Sequence, residues 1–121
     1  ESLILKEFKN VLEKAAKKHE NVTIKTSPSI SCYTTDFEIK RNNANGEEER
    51  VYLDLLSPKY FHLNNRHILI PEKLSKSQFL KHNGQNYRAI KYKSGNTFEE
   101  RLDEVLTHFN SWFSLSHHQD K

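Results

Sequence analysis

The last third of the chain contains one long amphipathic stripe, which limits the possible folds more than any other feature. Apolar side chains recur there at helical spacing and share one side of a helix: Phe98, Leu102, Val105, Leu106, Phe109, Trp112 and Phe113. Thr97 and Glu100 fit a capping box, in which each side chain accepts a hydrogen bond from the other residue's backbone N–H. The stripe must be buried against a second layer of structure.

A second amphipathic helix is predicted at the start of the chain. Its apolar positions have the same helical spacing: Ile4, Phe8, Val11, Leu12 and Ala15. At 100° per residue, Lys6, Lys9, Glu13 and Lys17 fall on the opposite side. This helix therefore presents a lysine-rich surface to solvent.

The segment between the two helices is predicted to form short strands. Residues 22–26, 30–40, 50–57 and 86–93 have strand patterns, and the alternation slips near Thr35, which predicts a bulge or a break. Asn45-Gly46 predicts a type I′ hairpin, and Asn83-Gly84 a second turn. Residues 59–81 are interpreted as a basic insertion with one short strand at 68–70.

The predicted fold class is α+β: a small antiparallel sheet of four or five strands, with an N-terminal and a C-terminal helix packed on one face. Residues 1–121 are expected to form a single domain excised from a longer chain, with a frayed tail at 114–121.

The residues do not favour catalysis. The three glycines all lie in turn contexts, so there is no phosphate-binding loop, and the seven histidines and Cys32 lack zinc-site spacing. Asp36 and Glu38, or one of them with Asp54 across the hairpin, are candidates for a carboxylate pair, but no base or nucleophile accompanies them. We therefore expect a domain that is not an enzyme and holds no metal or cofactor. The single cysteine suits a reducing, cytoplasmic compartment.

The charge of the chain is unevenly distributed. The formal net charge is +3, but residues 59–93 contain eight basic side chains and one acidic one, whereas the residues from Gly95 onward contain two basic and five acidic ones. Such asymmetry favours a polyanionic partner, which can be a membrane, a nucleic acid or an acidic protein surface.

Two stretches carry a family resemblance. The stretch NYRAIKYKSGNTFEERLDEV, which begins at Asn86, resembles the end of the kinase-associated domain at the C-terminus of MARK-type Ser/Thr kinases, with Ile90, Lys91, Ser94 and Gly95 in the matching places. The opening ILKEFKNVLEK is similar to the first helix of that family. Length and asparagine richness are most similar to the septin-associated bud-neck kinases of budding yeast.

The resemblance implies a membrane-targeting function. Such domains bind acidic phospholipids, phosphatidylserine especially, and in some kinases they also restrain the catalytic domain. Lys6, Lys9 and Lys91 match basic positions of the family, and Lys93 is taken to substitute for a second basic residue where Tyr92 stands. The expected lipid-binding set is Lys6, Lys9, Lys17, Lys59, Arg66, Lys91 and Lys93.

The expected location is the inner face of the plasma membrane, at the bud neck if the yeast resemblance holds. The parent kinase domain and septins are expected as further partners. Two alternatives stay open: an autoinhibitory or protein-interaction module, and a nucleic-acid-binding domain. The second has less support, because basic and aromatic residues interleave only at Tyr87-Arg88 and Lys91-Tyr92-Lys93.

Overall fold

The computed structural model describes residues 3–30, 33–43, 45–56, 71–91 and 95–113. The described part contains helices α1 (Leu3–Ala16), α2 (Pro71–His82) and α3 (Phe98–Trp112). Its strands are β1 (Val22–Thr26), β2 (Ser29–Ile30), β3 (Tyr33–Thr34), β4 (Phe37–Asn42), β5 (Glu48–Leu56) and β6 (Tyr87–Lys91). The α+β class predicted from the sequence is confirmed.

The main sheet has four strands in the order β1-β4-β5-β6, and β2 pairs with β3 in a separate small hairpin. The β1–β4 and β4–β5 pairs are antiparallel, as expected, but β6 runs parallel to β5. The sheet is therefore mixed rather than wholly antiparallel. The reason is α2, which lies between β5 and β6 in the chain and allows β6 to start in the same direction as β5.

The main core lies between the sheet and the two terminal helices, as the sequence predicts. Alternate residues of β4 and β5 turn towards α1 and α3, and this side of the sheet is called the α1/α3 face. The buried cluster consists of Phe8, Val11, Leu12, Ala15, Phe37, Ile39, Val51, Leu53, Val105, Phe109, Trp112 and Phe113. The capping box of Thr97 and Glu100 is also present at the start of α3.

A smaller core covers the opposite side of the sheet, called the α2 face. It consists of Ile30, Tyr52, Leu80 and Tyr87, with Tyr33 and Ala89 packed against them. Helix α2 was not predicted, because residues 59–81 were interpreted as a basic insertion. The short strand expected at 68–70 lies outside the described residues.

The turns differ in detail from the predictions. The break near Thr35 is confirmed, since β3 ends at Thr34 and β4 begins at Phe37. Asn45-Gly46 does join two strands, but the Gly46 N–H donates to the carbonyl oxygen of Asn43 over 2.9 Å, which makes Gly46 the last residue of the β-turn and not one of its two central residues, as a type I′ turn at Asn45-Gly46 requires. The Asn43 side chain instead accepts hydrogen bonds from the backbone N–H groups of Asn45 and Glu47, over 2.9 and 3.0 Å.

Candidate functional site

The strand directions place several loops and termini at one end of the sheet. β1, β5 and β6 finish there, at Thr26, Leu56 and Lys91, and β4 begins there at Phe37. We call it the Lys91 end. The other end carries the Asn43–Glu47 loop between β4 and β5 and is called the hairpin end.

Lys6 and Lys9 meet in one cavity at the Lys91 end, between α1 and the first residues of β4. The cavity has a volume of about 270 Å³ and is lined by Leu5, Lys6, Lys9, Thr26, Ser27, Asp36 and Phe37. Both lysines are exposed. Two lysines beside two hydroxyl-bearing residues suit a phosphate or carboxylate group, and the charge of Asp36 in the same lining opposes it.

The packing of α1 explains why these lysines face the cavity. Phe8 lies between them in sequence and is buried against Phe37, with ring centroids 5.9 Å apart. Because α1 turns its apolar stripe towards the sheet, Lys6 and Lys9 are left on its outer side at the rim of the core. The sequence pattern alone therefore predicts their exposure correctly.

The far wall of the cavity was not predicted. Ser27 has a left-handed backbone (φ 51°), and its N–H donates to the carbonyl oxygen of Asp36 over 2.9 Å. Asp36 also lines the cavity, and its carboxylate is bound to β5, since Oδ2 accepts a hydrogen bond from the N–H of Leu55 over 2.8 Å. The only sequence signal for this wall is the polar run Thr26-Ser27 before Pro28, which by itself indicates a turn.

The cavity lysines differ from Arg41 and Arg50 of the sheet in their charge environment. Arg41 lies 2.9 Å from Glu49, and Arg50 lies 2.6 Å from Glu48 and 3.1 Å from Glu38. The bond from Arg50 lowers the pKa of the Glu48 carboxyl. Among the described residues, neither Lys6 nor Lys9 has a carboxylate within ion-pair distance. Their positive charge is therefore available to an outside anion.

The other predicted site residues are not gathered with this pair. Lys17 is eleven residues from Lys6 on the same helical path, which places it about 16 Å away along the axis, towards the hairpin end. Lys91 is the last residue of β6. Phe37 of β4 pairs with Leu53 of β5, Leu53 pairs with Arg88 of β6, and Lys91 follows Arg88 by three residues. Its neighbour Ile90 packs into the α1/α3 core, so Lys91 belongs to the α2 face.

Three members of the expected set, Lys59, Arg66 and Lys93, lie outside the described residues. Their grouping with Lys6 and Lys9 stays a prediction.

One basic residue of the 59–93 segment is used inside the fold. The ammonium of Lys76 on α2 lies 2.6 Å from Asp54 Oδ2 and donates to the carbonyl oxygen of Thr34 over 2.8 Å. Its side chain is 16% exposed. The excess of basic residues in this segment therefore overstates the charge that it offers to a partner.

Acidic residues occupy the first turn of α3, the helix that follows β6. Glu99 and Glu100 are exposed in the first turn of α3, which follows β6 after a short connection. Glu100 takes part in the capping box, whereas Glu99 has no such bond among the described groups. The ammonium of Lys14 on α1 lies 6.0 Å from the centroid of the Phe98 ring, so this turn of α3 lies beside the C-terminal half of α1.

Comparisons with known proteins yield no match to a family model, a curated protein or a solved structure. Among the described residues, no helix is both long enough and apolar enough to span a bilayer.

Proposed function

We propose that this domain is a non-catalytic membrane-targeting module that binds acidic phospholipids, such as phosphatidylserine, with Lys6 and Lys9 as its central contacts. The observation that carries the proposal is their convergence on one cavity at the Lys91 end without an ion-pair partner among the described residues. The location proposed with it is peripheral, on the inner face of the plasma membrane.

The resemblance of the stretches that begin at Asn86 and at Ile4 to kinase-associated domains supports the same function and suggests a Ser/Thr kinase as the parent chain. The basic positions that the resemblance covers are Lys6, Lys9 and Lys91. Lys6 and Lys9 line one cavity, and Lys91 lies at the same end of the sheet as that cavity. Lys91 is on the α2 face, whereas Lys6 and Lys9 are on α1, which packs on the α1/α3 face. A bilayer therefore contacts all three lysines only if the strands are steeply inclined to its surface.

The strength of such binding follows from the number of contacting cations. Each lysine near an anionic leaflet contributes on the order of 1 kcal/mol, and the contribution falls off within a Debye length of about 10 Å at 0.1 M salt. Lys6, Lys9 and Lys91 together give about 3 kcal/mol. Recruitment by these three residues alone is weak, and further cations or a second attachment are needed for stable binding.

The test is co-sedimentation of the chain with vesicles of phosphatidylcholine alone and with phosphatidylserine added, at about 0.1 M salt. We expect recruitment only by the serine-containing vesicles. The variant Lys6→Glu/Lys9→Glu should bind about 30-fold more weakly or worse, since it removes two favourable contacts of about 1 kcal/mol each.

The matched control is Lys17→Glu/Lys18→Glu, which changes the net charge by the same amount at the hairpin end. Both residues are exposed, as Lys6 and Lys9 are. We expect this variant to keep most of its binding. Equal losses in the two variants would mean that overall charge, and not the cavity, attracts the bilayer. No difference between the two vesicle types would reject the membrane function.

A further inference from the structure

We propose that the first turn of α1 is a hydrophobic anchor, in which Leu3, assisted by Ile4, enters the acyl-chain boundary of the bilayer whose headgroups Lys6 and Lys9 contact. The inference rests on the proposed function, because that function supplies the bilayer. It adds a second, apolar contribution to the recruitment by charge.

The observation behind it is the exposure of Leu3. Its side chain is 80% exposed and that of Ile4 is 39% exposed, whereas Phe8, Val11, Leu12 and the other apolar residues of the α1 stripe are buried. Phe79, the other large apolar residue that is exposed among those described, lies on α2 at 39%. A single exposed leucine is common on protein surfaces, so its surroundings decide whether it has a role.

Along the axis of α1, the apolar Leu3 comes first and the cationic Lys6 and Lys9 follow, which is the arrangement that an interfacial helix needs. Leu3 and Lys6 are three residues apart and lie on the same side of α1. Along the axis, Leu3 precedes Lys6 by about 4.5 Å and Lys9 by about 9 Å. When α1 approaches a bilayer with its N-terminal turn first, the leucine reaches the acyl boundary while the lysines remain among the headgroups.

The cavity of Lys6 and Lys9 continues this arrangement. Leu5 and Phe37 line it together with the two ammonium groups, so the cationic site has apolar walls. A lipid presents a charged headgroup directly joined to apolar chains, and a site with both characters fits that junction. A free phosphate ion would use only the charged part.

A second copy of this chain is a poorer occupant of the same surface. In a symmetric contact around Leu3, the same patch of each copy faces the other. Lys6 and Lys9 of the two copies would then lie close together, with no carboxylate in ion-pair distance of them among the described residues. Like charges oppose such a contact, whereas an anionic bilayer compensates them.

The test uses a tryptophan reporter introduced by Leu3→Trp, with Asn10→Trp as its matched control. Asn10 is exposed, lies on nearly the same side of α1 and is about 10 Å farther from the N-terminal turn. The natural Trp112 is buried, and the unsubstituted chain measures its background signal. Each variant is mixed with phosphatidylserine vesicles that contain lipids brominated near the top of their acyl chains.

We expect strong quenching for Leu3→Trp and little for Asn10→Trp when both are bound. Leu3→Ala should weaken partitioning about five- to ten-fold without a change in melting temperature, since it removes apolar surface that is exposed in the free protein. Equal quenching of the two reporters in bound protein, or an unchanged affinity of Leu3→Ala, would overturn the anchor and leave the proposed function intact.

Two more results would count against the anchor. Absence of co-sedimentation for the unsubstituted chain would overturn the proposed function and the anchor together. A concentration-dependent blue shift of the Leu3→Trp signal without vesicles would show that a second copy covers Leu3, which also overturns the anchor.

Discussion

Tyr87 on β6 donates its hydroxyl hydrogen to Asp54 Oδ2 on β5 over 2.7 Å, and the ammonium of Lys76 on α2 contacts the same oxygen at 2.6 Å. The other carboxylate oxygen, Oδ1, accepts the N–H of Asp36 over 2.9 Å. One carboxylate thus joins β5, β6, α2 and the residue before β4. The Asp54 side chain is only 8% exposed, so these bonds replace the water that it would have in the unfolded chain.

Lys76→Met should lower the free energy of unfolding by about 2–4 kcal/mol, because it leaves the nearly buried Asp54 carboxylate without its cation. The methionine retains most of the apolar stem, so the loss reports on the charge rather than on packing. Urea unfolding at pH 7 gives the value. The control is Lys25→Met on exposed β1, which should change stability by less than about 0.5 kcal/mol. Similar values for both variants would contradict a stabilising role of the Asp54 pair.

The stability of the protein should fall above pH 10 in a way that depends on Tyr87. Burial, followed by the Asp54 charge, raises the pKa of the Tyr87 hydroxyl above its ordinary value of 10.0. The unfolded chain therefore releases this proton near pH 10 while the folded chain keeps it, and each pH unit above 10 costs up to about 1.4 kcal/mol. Below pH 10 this contribution is fully present.

Tyr87→Phe isolates that contribution. At pH 7 it should destabilise the fold by about 1–2 kcal/mol through the lost hydrogen bond to Asp54. Between pH 10 and 11 the gap between the variant and the unsubstituted chain should narrow, since the phenylalanine has no proton to lose. Urea unfolding at pH 7, 10 and 11 measures the free energy of unfolding of the variant and of the unsubstituted chain. A difference between the two that stays constant with pH would contradict the raised pKa of Tyr87.

Gly84 should resist substitution by alanine because of its backbone alone. Its φ is 81°, and no atom lies within 4 Å of the position that a Cβ would take. The N–H groups of Gly84 and Gln85 donate to the carbonyl oxygens of Lys81 and Leu80, which is the Schellman pattern that ends a helix. Gly84→Ala should therefore cost about 1 kcal/mol in thermal or urea unfolding, and Gly84→Asn less, since asparagine tolerates this conformation. Equal costs for both would point to another cause.

The residues whose burial or exposure could be predicted from the sequence lie in segments with a long, regular pattern of apolar residues. The stripes of α1 and α3 predicted the main core and the outward direction of Lys6 and Lys9, because a helix with one apolar side has only one way to bury it. The break at Thr35 was visible for a related reason, since a strand cannot change its buried side without an irregularity. Local periodicity was sufficient in each case.

The α2 face was missed because its signals are either weak or non-local. The stretch PEKLSKSQFLKH has few apolar residues and no continuous stripe, so its helix gives little periodic signal. Lys76 was counted only as one of the basic residues of the 59–93 segment, because its partner Asp54 is 22 residues away. The Thr26-Ser27 and Asp36 wall of the cavity likewise forms only when β1 pairs with β4. Contacts of this kind depend on the tertiary fold and leave no pattern in the neighbouring sequence.

Neutralising Glu99 should strengthen binding to anionic vesicles. Its carboxylate is exposed in the first turn of α3, the helix that follows β6, and we expect it to oppose the attraction of the bilayer for the lysines of α1. Glu99→Gln should raise partitioning about two- to five-fold, although it removes a favourable helix-dipole interaction of about 0.3–1 kcal/mol from the fold.

The control for Glu99→Gln is Glu20→Gln, which makes the same change in charge at an exposed position beyond the C-terminal end of α1, towards the hairpin end. Vesicle co-sedimentation at two salt concentrations compares the two. Because a charge acts on the surface only within about a Debye length, Glu99→Gln should have the larger effect at about 0.1 M salt, and the two should converge at low salt. A larger gain for Glu20→Gln would place the bilayer at the hairpin end and reverse the proposed orientation.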